Sequence, residues 1–166
     1  MTQAPLMDRI HITEDYDVPR VINGGWQLSA GHALERPLDL ADASRAFNRL
    51  IDMGFDTFDC ADIYTGVEDF FGGIIRERRK AGLRLPQIHT KLVPDLNDLA
   101  NVTPAYIENI ITRSLRRLGV ERLDAVQFHW WDYSVPGMVD VAGELVRLQE
   151  KGLIRLISTT NFNAVE

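Results

Sequence analysis

The segment "TFDCADIYTGVE", residues 57–68, contains a short strand pattern followed by a polar loop. Apolar residues lead to a carboxylate, Asp59, and a tyrosine, Tyr64, follows five residues later in a turn-like stretch. A helical pattern, "EDFFGGIIRERRKAG", begins directly afterwards. Strand, loop and helix in this order form the repeating unit of an α/β fold. The question is whether the loop only connects two elements or carries half of a proton-transfer site.

The same unit recurs along the chain with a period of about 30 residues. Apolar strands are predicted at residues 21–26, 55–59, 87–91, 123–129 and 153–158. Helical patterns lie between them at residues 40–54, 68–82, 103–119 and 138–152, each ending at a glycine. Thr103 is the expected N-cap of the third helix, with Pro104 in its first turn. Before the first strand, "RIHITEDYDVPRV" predicts a short hairpin or two extended segments around an acidic turn.

Strands that alternate with helices predict a parallel sheet covered by helices. A doubly wound nucleotide-binding sheet usually has a G-x-G-x-x-G turn after its first strand, and "NGGWQLSAGH" lacks that spacing. The polar residues instead fall at the ends of several strands, as they do in a barrel. We therefore expect an α/β fold of the (β/α)8 TIM-barrel type, with about five β/α units in a single domain over residues 1–166.

Composition excludes several classes of function. The 166 residues carry a net charge of −6, and their 45% hydrophobic content is ordinary for a globular protein. The basic stretch at residues 76–84 is interpreted as the solvated end of a helix, so nucleic-acid binding is not expected. One cysteine, Cys60, permits no internal disulfide, and no apolar run suits a signal peptide or a membrane span. The sequence predicts a cytoplasmic protein that needs no membrane and no metal.

Ionisable side chains stand at the predicted ends of three strands. Asp59 ends the second strand, Lys91 the third and His129 the fourth, and Tyr64 follows in the loop after Asp59. Each has an ordinary explanation by itself: a loop cap, a solvated lysine, or a histidine packed beside tryptophans. Because the C-terminal ends of barrel strands face one mouth, all four together are expected around one pocket.

The chemistry suited to this set is proton donation by tyrosine. A free phenol has a pKa near ~10, and a neighbouring ammonium lowers that pKa by stabilising the phenolate. Lys91 supplies the ammonium if an ion pair with Asp59 holds it in place. A neutral His129 can hydrogen-bond to the substrate oxygen. Such a site donates a proton to a carbonyl oxygen while hydride arrives at the carbon.

This set of motifs resembles the aldo-keto reductases from about residue 19 to the last residue. "GFDTFDCADIYTGVE", "INGGWQLS" and "GLIRLISTTNFNAVE" are similar to three segments of that family, and Asp59, Tyr64, Lys91 and His129 match its catalytic residues in order and context. The resemblance implies a (β/α)8 barrel closed below by a hairpin. It also implies a nicotinamide dinucleotide cofactor, NADPH or NADH, and reversible reduction of a small aldehyde or ketone.

The resemblance assigns further residues. Thr160 and Asn161 would hold the nicotinamide carboxamide, and the backbone at Gly24, Gly25 and Trp26 would pass beside the nicotinamide. The substrate pocket would include three tryptophans, whose alternative role is packing: Trp26, Trp130 and Trp131. His89 shares strand parity with Lys91 and is expected one layer deeper, in a structural role. Three positions differ from the family's usual residues. Cys60 replaces threonine or serine, Thr160 replaces serine, and Gly25 replaces threonine.

A complete barrel has eight strands, and five are predicted here. The sequence is therefore expected to be either a piece of a longer reductase or a truncated product. Open sheet edges and an exposed inner face would favour self-association, and the chain by itself is expected to bind cofactor weakly.

One alternative to a reductase is a non-catalytic remnant or association module. Another is a barrel enzyme that uses Lys91 as a Schiff-base nucleophile.

Overall fold

The structure is a computed structural model that describes residues 7–30 and 39–163. Its described residues cluster into two compact units. The first unit comprises Met1–Cys60 and Tyr64–Ile88, and the second comprises Ala61–Ile63 and His89–Glu166. A single domain over residues 1–166 stays a prediction.

The first unit opens with the expected hairpin. Strand β1 (Arg9–Thr13) pairs antiparallel with β2 (Tyr16–Pro19). The side chains of Tyr16 and Val18 are buried, whereas Ile10 and Ile12 on β1 are exposed. The hairpin therefore uses β2 to pack against the rest of its unit.

Two parallel strands and two helices complete the first unit. Strand β3 (Asn23–Gly24) pairs with β4 (Thr57–Asp59), and the helices are α1 (Leu40–Asp52) and α2 (Val67–Lys80). The prediction of a strand over residues 21–26 is wrong at both ends, because β3 covers only Asn23–Gly24 and Trp26–Leu28 forms a 3-10 helix. The backbone N–H of Gly25 donates to the carbonyl of Asp59 at 2.8 Å, and the chain then turns so that Leu28 N–H reaches the carbonyl of Gly25.

Four phenylalanines hold α1 and α2 against β4. Phe58 stacks on Phe71 with ring centroids 5.2 Å apart. The Phe47 ring centroid lies 5.1 Å from that of Phe58 and 5.6 Å from that of Phe70, the latter in an edge-to-face arrangement. Offset and edge-to-face contacts of this kind add to the free energy that ring burial contributes. Since side chains alternate along a strand, Phe58 points toward the helices and Asp59 points to the opposite face.

The second unit contains three parallel strands and two helices. Strand β5 (Gln87–Leu92) pairs through its second-unit residues with β6 (Leu123–Phe128), and β6 pairs with β7 (Ile154–Thr159). The helices are α3 (Pro104–Leu118) and α4 (Met138–Glu150). A 3-10 helix at Leu96–Asn101 was not predicted.

The expected caps of α3 are confirmed. The Thr103 side chain accepts the backbone N–H of Tyr106, and Gly119 ends the helix in the left-handed conformation with φ 68°. A left-handed residue at this position favours glycine because a Cβ atom would be strained there. The start and end of α3 are thus encoded locally.

The interpretation of residues 76–84 as a solvated helix end is wrong for Arg78. Its side chain is only 4% exposed. The guanidinium donates to Asn48 at 2.8 Å, to Asp52 at 2.7 Å and to the carbonyl of Arg84 at 2.6 Å. These partners on α1 and beyond α2 make burial of the charge possible.

No helix in the described ranges is long and apolar enough to span a membrane.

Candidate active site

In the first unit, the candidate residues follow β4. Asp59 is the last residue of β4 and is half-buried, and Gly24 is its partner in the register of β3 and β4. Tyr64 is also half-buried, and its carbonyl accepts the N–H of Val67, the first residue of α2. Both side chains are therefore placed by the junction between the carboxyl end of β4 and the start of α2.

Gly25 is required by a close approach of two backbones. A Cβ atom at this position would lie 2.9 Å from the Asp59 carbonyl oxygen and 3.0 Å from a methyl carbon of Val67. Threonine, the residue expected from the family at this position, would clash with both atoms. Trp26, next along the chain, is 47% exposed at the start of its 3-10 helix.

In the second unit, polar residues share one face of the sheet. Lys91 is paired in register with Gln127, and Gln127 with Ser158. His129 stands two residues after Gln127, so it points to the same face, and its backbone N–H donates to the carbonyl of Leu92 at 3.1 Å. His89 is paired with Ala125 and lies on this face below Lys91, as its strand parity predicts.

The His129 imidazole is held between an amide and an indole. The Asn161 Nδ2 lies 3.3 Å from its Nε2, and the Trp131 ring centroid lies 4.3 Å from its own. Because an amide NH2 only donates, this contact corresponds to the tautomer in which Nε2 accepts, and Nδ1 lies buried without a hydrogen-bond partner in good geometry among the described residues. Burial lowers the pKa of His129, and the positive charge of Lys91 lowers it further, against an opposing hydrogen bond with the Trp130 backbone. The imidazole is therefore neutral at neutral pH.

Thr160 and Asn161 follow β7. The N–H of Thr160 donates to the Phe128 carbonyl at 3.0 Å, which extends the pairing of β6 and β7 by one residue. Asn161 adopts a left-handed conformation with φ 62°, and its carbonyl accepts the Tyr133 hydroxyl at 3.2 Å. Asparagine tolerates this conformation better than most residues. The turn presents the Asn161 amide toward His129.

The two adjacent tryptophans differ in burial. Trp130 is 2% exposed, donates from Nε1 to the Val135 carbonyl at 3.2 Å and packs against Phe128. Trp131 is 47% exposed and donates from Nε1 to the Pro94 carbonyl at 2.7 Å. Trp130 thus occupies a packing position, while Trp131 leaves an indole surface open to a ligand.

Sequence reasoning missed Asp62, which lies between Asp59 and Tyr64 in the chain. Its carboxylate is almost fully buried in the second unit, where it accepts the Val93 N–H at 3.1 Å and pairs with Arg113 at 3.1 Å. Its partners lie 31 and 51 residues away in sequence, so no local pattern identifies them. The one available signal is a carboxylate within the apolar context "CADIY".

Tyr133 was also missed, and its only signal is position in the loop after β6. Among the described residues, no group of three or more histidine, cysteine, aspartate or glutamate side chains is arranged to hold a metal ion.

Comparison with known proteins gives consistent matches. The model of the aldo/keto reductase family matches residues 20–166. Methylglyoxal reductase DkgA of Yersinia pestis is 28% identical over 165 residues, which is 98% of this chain and 51% of that protein. An aldo-keto reductase of Mycolicibacterium vanbaalenii is 29% identical over 99% of this chain and 53% of its own length. The chain spans about half the length of the curated relatives it matches.

Solved structures agree in fold. The aldo-keto reductase of Bombyx mori, solved with NADP, superposes with a TM-score of 0.75 at 23% identity, covering 96% of this chain and 52% of that one. A putative aldo-keto reductase from Pseudomonas aeruginosa gives a TM-score of 0.74 at 20% identity, covering 93% and 60%. The expected α/β fold of the TIM-barrel type is thereby confirmed. With the family model matched over residues 20–166, the chain belongs to the aldo/keto reductase family.

Proposed function

We propose that this chain acts in the reversible NAD(P)H-dependent reduction of an aldehyde or ketone. The observation that carries the proposal is the family match over residues 20–166, which includes every candidate residue. Within that range Asp59 and Lys91 lie at the carboxyl ends of parallel strands, His129 directly follows such an end, and Asn161 is the second residue after another. Catalytic residues of barrel enzymes come from these positions.

Tyr64 is the proposed proton donor. Its phenol is a weak acid unless a cation stabilises the phenolate, and Lys91 is the proposed cation, oriented by Asp59. Proton transfer to the carbonyl oxygen lets the carbon accept hydride without leaving an alkoxide. General acid catalysis of this kind contributes about 10²–10⁴-fold in rate.

His129 is the proposed orienting residue for the carbonyl oxygen. Burial and the charge of Lys91 keep it neutral, so it can donate one hydrogen bond without competing as an acid. In the present arrangement its Nε2 lies 3.3 Å from the Asn161 amide nitrogen. A hydrogen bond from Nε2 to a substrate oxygen therefore requires that this amide turn away and that Nε2 carry the ring proton.

Thr160 and Asn161 fit a nicotinamide carboxamide. The hydroxyl and the amide together offer donors and acceptors at the end of β7, and the Asn161 backbone is fixed by Tyr133. When bound, the nicotinamide supplies the hydride. NADP is named with the solved Bombyx mori and Klebsiella pneumoniae reductases, which supports NADPH as the cofactor here. Gly24, Gly25 and Trp26 are proposed to pass beside it, and Trp26 and the half-exposed Trp131 to contact the substrate.

The test is NADPH oxidation by the purified protein, with methylglyoxal as the first probe because one relative is named for that activity. Tyr64→Phe should lower kcat by about 10²-fold or more with unchanged circular dichroism. The matched control is Tyr16→Phe, which removes a hydroxyl from the hairpin and should leave kcat unchanged. A near-wild-type rate for Tyr64→Phe would remove the tyrosine assignment. Borohydride trapping of a substrate adduct on Lys91 would instead support Schiff-base chemistry.

A further inference from the structure

A cavity in the second unit gathers large apolar side chains that remain exposed. Ile63, Leu96 and Trp131 are 50%, 58% and 47% exposed, and all three line one cavity of about 300 Å³. Exposed apolar side chains grouped around a concavity commonly mark a ligand site, and this volume lies at the lower end of the range for such sites. From this cavity and its polar lining we propose that it binds a small aromatic carboxylate.

The apolar part of the cavity suits a flat ring. Trp131 is fixed by the hydrogen bond from its Nε1 to the Pro94 carbonyl at 2.7 Å, so its indole face is presented in one orientation. Ile110 from α3 is buried and lines the same cavity. An aromatic ring in this cavity would bury apolar surface against Trp131 and Leu96 at little cost in side-chain entropy.

The polar part of the cavity suits a carboxylate. Arg113 lines the cavity with a side chain that is 39% exposed. Among the described residues Asp62 is the acceptor that we find for this guanidinium, through Nη2 at 3.1 Å, and its Nε lies buried without a partner. Guanidinium forks match carboxylates in geometry and bind them strongly.

Tyr106 supplies a second donor. Its hydroxyl oxygen accepts the backbone N–H of Asp95 at 3.0 Å, which leaves the hydroxyl hydrogen available to a ligand. Tyr106 lines the same cavity as Arg113, about two helical turns away on α3. Both side chains thus offer a donor to a carboxylate within the cavity.

Two protein carboxylates lie near this site, and both are engaged. The oxygens of Asp62 accept from Val93 N–H and from Arg113, and its side chain is 1% exposed. Asp95 accepts the N–H of Asn97 at 2.9 Å, where it caps the 3-10 helix, and it faces solvent. Asp62 is thus neutralised by its own partners, and the charge of Asp95 is screened by water.

The cavity lies next to His129 through one side chain. The Trp131 ring lines the cavity and also contacts the His129 ring at 4.3 Å. A ring bound against Trp131 should therefore perturb the His129 resonances as well. Binding itself does not depend on the proposed reductase activity, so the two proposals can fail separately.

The test is a titration of the full chain with benzoate, followed by ¹H–¹⁵N NMR. We expect saturable shifts of the Trp131 indole N–H and of amides near Leu96 and Arg113. Benzamide, which has the same ring without the charge, should bind about tenfold more weakly or worse. Leu96→Ala should weaken benzoate binding about threefold or more by removing apolar contact.

Protein variants separate the guanidinium from general positive charge. Arg113→Lys keeps the charge and the pairing with Asp62 but loses the fork, and it should weaken benzoate binding about fivefold or more. Arg116→Lys, at an exposed position on the same helix, is the matched control and should leave binding unchanged. Equal affinities for benzoate and benzamide, shifts that do not saturate, or shifts centred elsewhere would each overturn the proposal.

Discussion

Asp56 and Asp59 stand at opposite ends of β4, and their surroundings differ. Asp56, just before the strand, is 1% exposed and pairs with Arg9 at 2.8 Å and with Arg84. Asp59, at the carboxyl end, is half-buried, and its carbonyl accepts the N–H of Gly25. One aspartate is enclosed by arginines of its own unit, and the other is followed by the loop that contains Tyr64.

The difference indicates that the amino end of β4 stabilises the fold, whereas its carboxyl end positions the candidate site. At the amino end, Arg9 also reaches Asp17, and Gln87 donates to the Asp17 carbonyl and lies 2.7 Å from the Thr57 hydroxyl. These contacts join the hairpin to β4 and to the start of β5. In barrel enzymes the amino ends of the strands serve stability and the carboxyl ends serve chemistry. The two aspartates allow that rule to be tested within three residues of sequence.

The largest contrast is expected from Asp56→Asn and Asp59→Asn. Asp56→Asn should lower the free energy of unfolding by about 3 kcal/mol, because two arginines lose their shared counter-charge in a buried setting. Asp59→Asn should change it by less than about 1 kcal/mol while lowering kcat of carbonyl reduction about tenfold or more. Urea denaturation and steady-state kinetics measure both quantities. Equal losses of stability in the two variants would show that the two ends of β4 do not differ in their contribution to stability.

Arg78→Met should produce the next largest effect. Arg78 donates to the carbonyl of Arg84, so it supports the segment that supplies a partner to Asp56. We expect a loss of about 2 kcal/mol in the free energy of unfolding, because Asn48 and that carbonyl lose their donor. Arg76→Met, at an exposed position on the same helix, should stay within about 0.5 kcal/mol. If Arg76→Met destabilises as much as Arg78→Met, burial of Arg78 is not the cause.

Gly25→Ala tests the packing at the carboxyl end. The new Cβ would lie 2.9 Å from the Asp59 carbonyl oxygen, which is backbone and cannot move aside cheaply. We expect a loss of about 1–2 kcal/mol. The matched control is Gly24→Ala, where no atom lies within 4 Å of the added Cβ, and its effect should be smaller than about 0.5 kcal/mol. Thermal or urea unfolding of both variants checks this, and a tolerated Gly25→Ala would show that β3 can retreat from β4.

The smallest effect concerns protonation of His129 in the second unit. Its pKa is lowered from 6.5 by burial and by Lys91, so the unfolded chain binds its proton more readily than the folded chain. The contribution of His129 to stability is therefore complete above about pH 6.5 and declines as the pH falls toward the lower folded pKa. NMR titration of the His129 ring measures this pKa directly.

Lys91→Met should raise the pKa of His129, because one of the two causes that lower it is removed. Lys151→Met, which follows α4 in the same unit and pairs with Glu108, is the control and should leave that pKa unchanged. A pKa of His129 that does not respond to Lys91→Met would mean that burial alone keeps the ring neutral.

The helices were predictable because their signals are local. The start of α3 was predicted from Thr103 and Pro104 and its end from Gly119, and the structure has the helix between these residues. The strand ends that carry Asp59, Lys91 and His129 were also found, since short apolar runs between helices are distinctive. The predictions that failed concern features that depend on residues distant in sequence. The turn at Trp26 follows from contact of Gly25 with the Asp59 carbonyl.

Buried charges were the least predictable part of the candidate site and its surroundings. Arg78 finds Asn48 and Asp52 at separations of 30 and 26 residues. Asp62 finds Arg113 at a separation of 51. A charged residue is solvated by default, and only its partners in space reverse that expectation. Such residues cannot be recognised from local sequence patterns.

The contacts of Arg9 also bear on the order of folding. Its guanidinium reaches Asp56 across 47 residues of sequence and Gln87 across 78, at 2.8 and 3.5 Å. Closing loops of this length is entropically costly, so these bonds are expected to form after the transition state for folding. Interactions that form late change the rate of unfolding far more than the rate of folding. The contacts of the hairpin would then slow the unfolding of the first unit, and so set its lifetime, while leaving its folding rate nearly unchanged.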